Sequence, residues 1–122
     1  MMKMLVLLLV VSVSLALAPP VGAISAFETT VAEIVQNPDK FNQQQVIVQG
    51  KAVQIQQKTT QRGSPYTFFF LMDTGTGDKM AVEYMRGTLA LQESALVTVQ
   101  GDYYKKPTKG GFTHTIRAMF VK

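Results

Sequence analysis

The chain has 122 residues with 12 basic and 8 acidic side chains, a formal charge of +4, a single His and no Cys. That length holds one domain, and so low a charge excludes a polybasic nucleic-acid protein. The missing Cys excludes disulfides, thiol catalysis, zinc–thiolate sites and c-type haem attachment, so the fold must stand on its apolar core alone.

Lys3 precedes an almost unbroken apolar run, Met4–Ala18, which Pro19 and Pro20 end. Val21-Gly22-Ala23 then offers small residues at the positions a signal peptidase reads. The run is about 15 residues, short of the roughly 20 that a spanning helix needs. The pattern predicts a secretory signal peptide over residues 1–23, cleaved near Ala23, with a second cut available after Ala26. The protein is then periplasmic or secreted, with no stable membrane span in its mature form. Without Cys, a lipoprotein anchor is excluded. Removing Lys3 leaves 11 basic against 8 acidic residues, a net charge of +3.

Thr30-Val31-Ala32-Glu33 matches a capping box, a hydroxyl followed three residues later by a carboxylate. Phe27, Val31, Ile34 and Val35 share one helical face. Asn37-Pro38 ends that helix, because a residue before Pro avoids the α region, and Phe41 is expected to pin the connector. Residues 24–44 therefore read as a helix and connector leading into a barrel over residues 45–122. The run VIVQGKAVQIQ, from Val46, reads as a long strand with Val46, Val48, Val53 and Ile55 inward. The parity changes along it, and a β-bulge at Gly50-Lys51 is the expected cause.

Lys58–Pro65 reads as a polar loop. Tyr66–Asp73 and Lys79–Met85 read as the second and third strands, joined by a Gly-rich turn, with Met80, Val82 and Tyr84 on one face. Leu89-Ala90-Leu91 reads as a short helical turn. Leu96–Tyr104 and Phe112–Val121 are the last strands, separated by a polar loop over Lys105–Gly111, with Phe112, Ile116 and Phe120 on one face. The pattern Val-x-Val-Gln-Gly occurs at 46–50 and again at 97–101. It marks two strands with one need: apolar alternation, then a Gly where the strand bends or another backbone comes close.

Five strands, the first long and bent, with a connection after the third, make the plan of a five-stranded Greek-key OB-fold barrel. The order V-x-V-x-G, then F-x-L-x-D-x-G-x-G, then L-V-T-V-Q-G, resembles bacterial OB-fold domains of the nucleic-acid-binding type. The leading helix and the segment Asn37–Val46 are similar to exported bacterial OB-fold proteins. The resemblance covers nearly the whole mature chain. Ser94 departs from it, standing where such domains often carry Gly before the fourth strand.

The resemblance implies a ligand lying across the second and third strands, framed by the loops joining strands 1–2 and 4–5. Those loops hold Lys58, Arg62, Lys105, Lys106 and Lys109, and neither contains an acidic residue. Between them Tyr66, Phe68 and Phe70 alternate with Thr67, Phe69 and Leu71. One set fills the core and the other faces outward, and alternation leaves both assignments open. With Tyr84, the first set and the five cations make up the expected ligand-binding residues. Bases stack on rings while cations follow phosphates. The leading expectation is thus a non-enzymatic binding module, without a cofactor, for single-stranded nucleic acid or another anionic oligomer. Against it stands a reading in which the lysines only keep the protein soluble and blunt strand edges. The aromatic face would then dock an envelope protein partner, or the domain would be a stress-related small-ligand or cation-binding module.

Three further features carry candidate chemistry. Leu71-Met72-Asp73-Thr74-Gly75-Thr76 matches the aspartic-peptidase motif, whose retroviral type needs two carboxyls sharing a proton across a dimer. The same residues also make a β-hairpin turn with Asp73 bonded to its own backbone. Asp73 and Asp78 together are a thin shell for Ca²⁺, which takes six to eight oxygens. His114 alternates with Phe112 and Ile116 and reads as a satisfied, partly buried side chain. The His-x-x-x-Tyr pattern of exported haem-chaperone OB-folds is missing, with Ala118 at the matching place. One His builds no metal cluster, and no enzyme is expected.

Overall fold

The computed structural model describes residues 26–122. The leader expected over residues 1–23 lies outside them. No described helix is long and apolar enough to cross a membrane. The elements are β1 (Phe27–Thr29), α1 (Val31–Gln36), α2 (Pro38–Phe41), β2 (Gln44–Thr59), β3 (Pro65–Met72), β4 (Lys79–Tyr84), β5 (Ala95–Thr108) and β6 (Gly111–Val121). The sheet order is β1-β2-β3-β4-β6-β5, and β2 also pairs with β5. That last pairing closes β2 to β6 into a five-stranded barrel. Within it β4 and β6 run parallel and every other pair runs antiparallel. This is the OB-fold plan, and closure removes the open sheet edges that would otherwise invite aggregation.

The two Val-x-Val-Gln-Gly segments turn out to be partners. Val46 faces Gly101, Val48 faces Val99 and Gly50 faces Val97, so the echo is a local two-fold centred on the Val48–Val99 pair. Both glycines allow close backbone approach. A Cβ on Gly101 would lie 2.2 Å from the Arg117 carbonyl oxygen, and one on Gly50 would lie 2.7 Å from that of Met72. Gly50 is therefore not the site of the bulge. The ladder runs unbroken through it, with Val46, Val48 and Ala52 inward, and the register shift falls between Val53 and Gln56. There Gln54 takes a left-handed φ of 55° and its N–H donates to the Glu93 carboxylate at 2.9 Å. The parity change is real, but Val53 stays on the outer face and only Ile55 turns inward.

Other expectations are corrected in the same physical terms. The Thr30 hydroxyl accepts from Glu33 N–H at 3.0 Å, as a capping box requires, whereas the Glu33 carboxylate accepts from the Thr29 hydroxyl. Pro38 opens α2 as well as ending α1, at a first-turn position where its missing N–H costs nothing. Phe27 belongs to β1 rather than to the helix, edge-on to buried Phe41 at 5.9 Å. Val31, Ile34 and Phe41 pack into the barrel core.

Leu89-Ala90-Leu91 is an irregular connector, not a helical turn. Its backbone is satisfied from the side: Leu89 N–H donates to the buried Thr67 hydroxyl at 2.9 Å, and Gln57 Nε2 donates to the Leu89 carbonyl at 3.0 Å. In β6, Ala118 faces Gly101 and Phe120 faces Gln100, so Met119 is an extra residue. It reverses the parity and leaves Phe120 53% exposed, off the Phe112–Ile116 face.

Candidate functional site

Alternation along β3 now has a direction. Thr67, Phe69 and Leu71 are fully buried, while Tyr66, Phe68 and Phe70 are half-buried on the outer face. The Phe68 and Phe70 rings meet edge to face with centroids 5.3 Å apart. Lys58 Nζ lies 4.9 Å from the Phe68 centroid, and Lys79 Nζ lies 5.8 Å from that of Phe70. Cations held over rings this way are attracted by the ring quadrupole and still leave the charge at the surface.

The second expected polar loop is largely strand, while the first is a loop over residues 60–64 with strand at both ends. Lys58 pairs with Tyr66 inside the β2–β3 ladder, and only residues 60–64 turn, with Arg62 exposed at the tip. Lys105 and Lys106 lie in β5, which runs on to Thr108, and Lys109-Gly110 is a two-residue turn. A two-stranded ribbon in water has no buried face, so its composition reads as a loop. Pro107 fits because β5 pairs with β2 only as far as Tyr103 and with β6 alone beyond it.

This ribbon forms one wall of an open groove of about 350 Å³, and Phe68 and Phe70 form part of the other. Ala81 and Glu83 supply the floor from β4, with Lys106, Thr113 and Thr115 from the ribbon. Tyr84 is not part of it. It pairs with Thr67 and packs against the core on the inner side of β4 with Met80 and Val82. Of the other expected site residues, the groove brings together Phe68, Phe70 and Lys106. Lys58 lies over the Phe68 ring without lining the groove, while Tyr66, Arg62 and Lys109 sit at the hairpin ends.

Charge is also redistributed. Lys105 Nζ pairs with Asp39 at 2.9 Å, and Lys106 Nζ pairs with Glu83 at 3.0 Å. Glu83 also accepts from the Tyr104 hydroxyl at 3.2 Å and has Arg117 at 3.8 Å. The Glu83 hydrogen bond and charge push the Lys106 ammonium above its ordinary value. Lys58, Arg62 and Lys109 make no ion pair among the described residues. The loops lack acids, as the sequence says, but β4 brings one across. Glu83, Lys79 and Arg117 were the residues missed. Glu83 and Lys79 carry a weak signal, since both alternate with inward Met80 and Val82. The parallel β4–β6 contact that adds Arg117 carries none.

Asp73 is a structural group. One carboxylate oxygen accepts from Gly75 N–H at 2.8 Å and Thr76 N–H at 3.1 Å, and the other from Ala32 N–H at 3.1 Å. Partial burial pushes this carboxyl up, but the N–H groups of Ala32, Gly75 and Thr76 outweigh it and hold it below its ordinary value. A peptidase dyad needs a carboxyl that keeps a shared proton, and this one is set to stay ionised. Asp78 accepts from the Thr76 hydroxyl at 2.9 Å within the same turn. No group of three or more His, Asp or Glu among the described residues is placed to hold a metal ion.

His114 Nδ1 is 2.8 Å from the hydroxyl of fully buried Tyr103, and the rings stack at 6.0 Å. Burial and the nearby Lys105 charge push the imidazole down, while burial and Asp39 push the Tyr103 phenol up to about 12. Tyr103 and His114 thus share one hydrogen bond between their uncharged forms, a satisfied polar pair inside the ribbon's base.

No family model matches the chain, and no curated protein matches it. Among solved structures the chain is similar to a Klebsiella pneumoniae subsp. pneumoniae protein described as a "putative nucleic acid-binding lipoprotein", with 18% identity and a TM-score of 0.58. The match covers 78% of this chain and 92% of that one. At that identity the likeness is one of fold.

Proposed function

We propose that this barrel is a non-enzymatic, exported binding module that takes single-stranded nucleic acid, or another anionic oligomer, across the outer face of β3 and β4 and the base of the β5–β6 ribbon. One observation carries the reading: Phe68 and Phe70 turn outward beside a groove while Lys58 and Lys79 lie over their rings and Lys106 stands on the opposite wall. Large apolar rings on a surface are costly unless something covers them. Rings with cations at their margins suit stacked bases whose phosphates run alongside. The fold neighbour's name points the same way. Export rests on the leader pattern over residues 1–23, and an N-terminus at Ile24 on the protein recovered from outside the cytoplasm is the expected outcome.

The binding test is fluorescence anisotropy with a labelled single-stranded oligonucleotide across a salt series. Three cations, Lys106 in the groove and Lys58 and Lys79 over its aromatic wall, predict a slope of log K against log salt of about −2, from roughly −0.7 per neutralised phosphate. Lys58→Gln is expected to weaken binding more than Lys105→Gln, because Lys105 is already paired with Asp39. Absence of binding at low salt, or binding indifferent to salt, refutes the reading and favours a protein partner on the aromatic face.

A further inference from the structure

Phe68, Glu83, Arg117 and Asp102 stand opposite one another on four successive strands, forming one row across the outside of the barrel. Glu83 is the residue in that row that links its two halves. On one side lie the Phe68 and Phe70 rings and the groove they border. On the other, Arg117 and Tyr104 line a second open cleft of about 520 Å³, with the Arg117 guanidinium 5.7 Å from the Tyr104 ring centroid. The Glu83 side chain is only 14% exposed and gathers Lys106, Arg117 and the Tyr104 hydroxyl around it. A carboxylate with those three partners occupies the place where a ligand phosphate would find its cations.

Resting on the anionic-oligomer reading above, we infer that Glu83 is the specificity-determining residue of the groove: an internal anion that holds Lys106 and Arg117 until ligand phosphates replace it. The oligomer then spans from Phe68 to a second stacking position on Tyr104. Two consequences follow from charge alone. A ligand must supply at least two phosphates to draw both cations away, so a mononucleotide competes poorly with Glu83. Moreover, Glu83 left without its cations must recruit one from solution, which lowers net ion release on binding.

The test uses the chain without its leader, residues 24–122, and the Glu83→Gln variant, which keeps the shape and still accepts from Tyr104. Glu28→Gln on β1 is the charge-matched control, and thermal unfolding checks that both variants fold. With a labelled oligonucleotide at low salt, Glu83→Gln is expected to bind about tenfold more tightly than wild type. Its salt slope should steepen by roughly 0.7 to 1, the worth of one further released ion. Glu28→Gln should change affinity less than about twofold, as expected for a distant exposed charge. Tyr104→Leu should weaken a long oligonucleotide more than a dinucleotide. If wild type binds with a salt slope and Phe68→Ala weakens it, yet Glu83→Gln leaves affinity and slope unchanged, the Glu83 inference is overturned and the groove reading stands. If neither protein binds, both are overturned.

Discussion

Phe68 and Phe69 are chain neighbours with the same side chain, and the barrel wall separates them. Phe69 is fully buried with Leu71, Val82 and Ile116 in the core, whereas Phe68 lies on the outer face under the Lys58 ammonium. The inner set also includes one polar member, Thr67, whose hydroxyl is bonded to Gln57 and to Leu89 of the connector. The outer set is all aromatic. Hydrophobicity alone therefore does not separate the two faces of β3. What separates them is whether neighbouring strands bring apolar partners or cations to each side.

Substitution should sharpen that contrast. Phe69→Ala should have the largest effect, a loss of about 3–5 kcal/mol in urea unfolding from lost burial plus a core cavity. Next comes Thr67→Val, which leaves the Leu89 N–H without its acceptor. A loss of about 1–2 kcal/mol is expected from the same measurement, with faster proteolysis in the 85–94 connector.

At the end of the strand, Asp73→Ala should cost about 1–2 kcal/mol, in the range for a side chain that caps main-chain N–H groups. The Asp73 contribution should also depend on pH. Its folded-state carboxyl is held below the unfolded value, so its stabilisation is complete above the ordinary Asp range and is lost as pH falls through the folded value. Urea unfolding of wild type and variant should therefore converge on acidification below the ordinary Asp range. A constant gap would show that the turn is held by something other than the ionised carboxylate.

The smallest stability effect belongs to Phe68→Ala, under about 1 kcal/mol for a half-exposed ring, because little core area is lost. In oligonucleotide binding the order reverses. Phe68→Ala should weaken affinity by about tenfold or more, the worth of one stacked base, while any Phe69 variant that stays folded should bind as wild type does. Equal binding by wild type and Phe68→Ala would show that the outer ring is surface rather than site.

The sequence made the fold class and the five barrel strands legible, though not β1, because alternating apolar residues bounded by Gly, Pro and Asn carry a period that survives without tertiary context. It marked the capping Thr30, the hairpin turn at Asp73 and the two glycines that close backbone contact requires. Composition misled where no buried face exists. The 105–111 segment is mostly a solvated ribbon, and its polarity resembles that of a loop.

Barrel packing fixed which face of Tyr66–Leu71 points outward, since both faces are apolar and a period of two is blind to direction. It also moved the β2 bulge to Gln54, turned Tyr84 inward and brought Glu83 between Lys106 and Arg117. Each of these depends on which strands become neighbours. That is set by barrel closure through the β2–β5 and parallel β4–β6 pairings, contacts between segments far apart in the chain that no local pattern records.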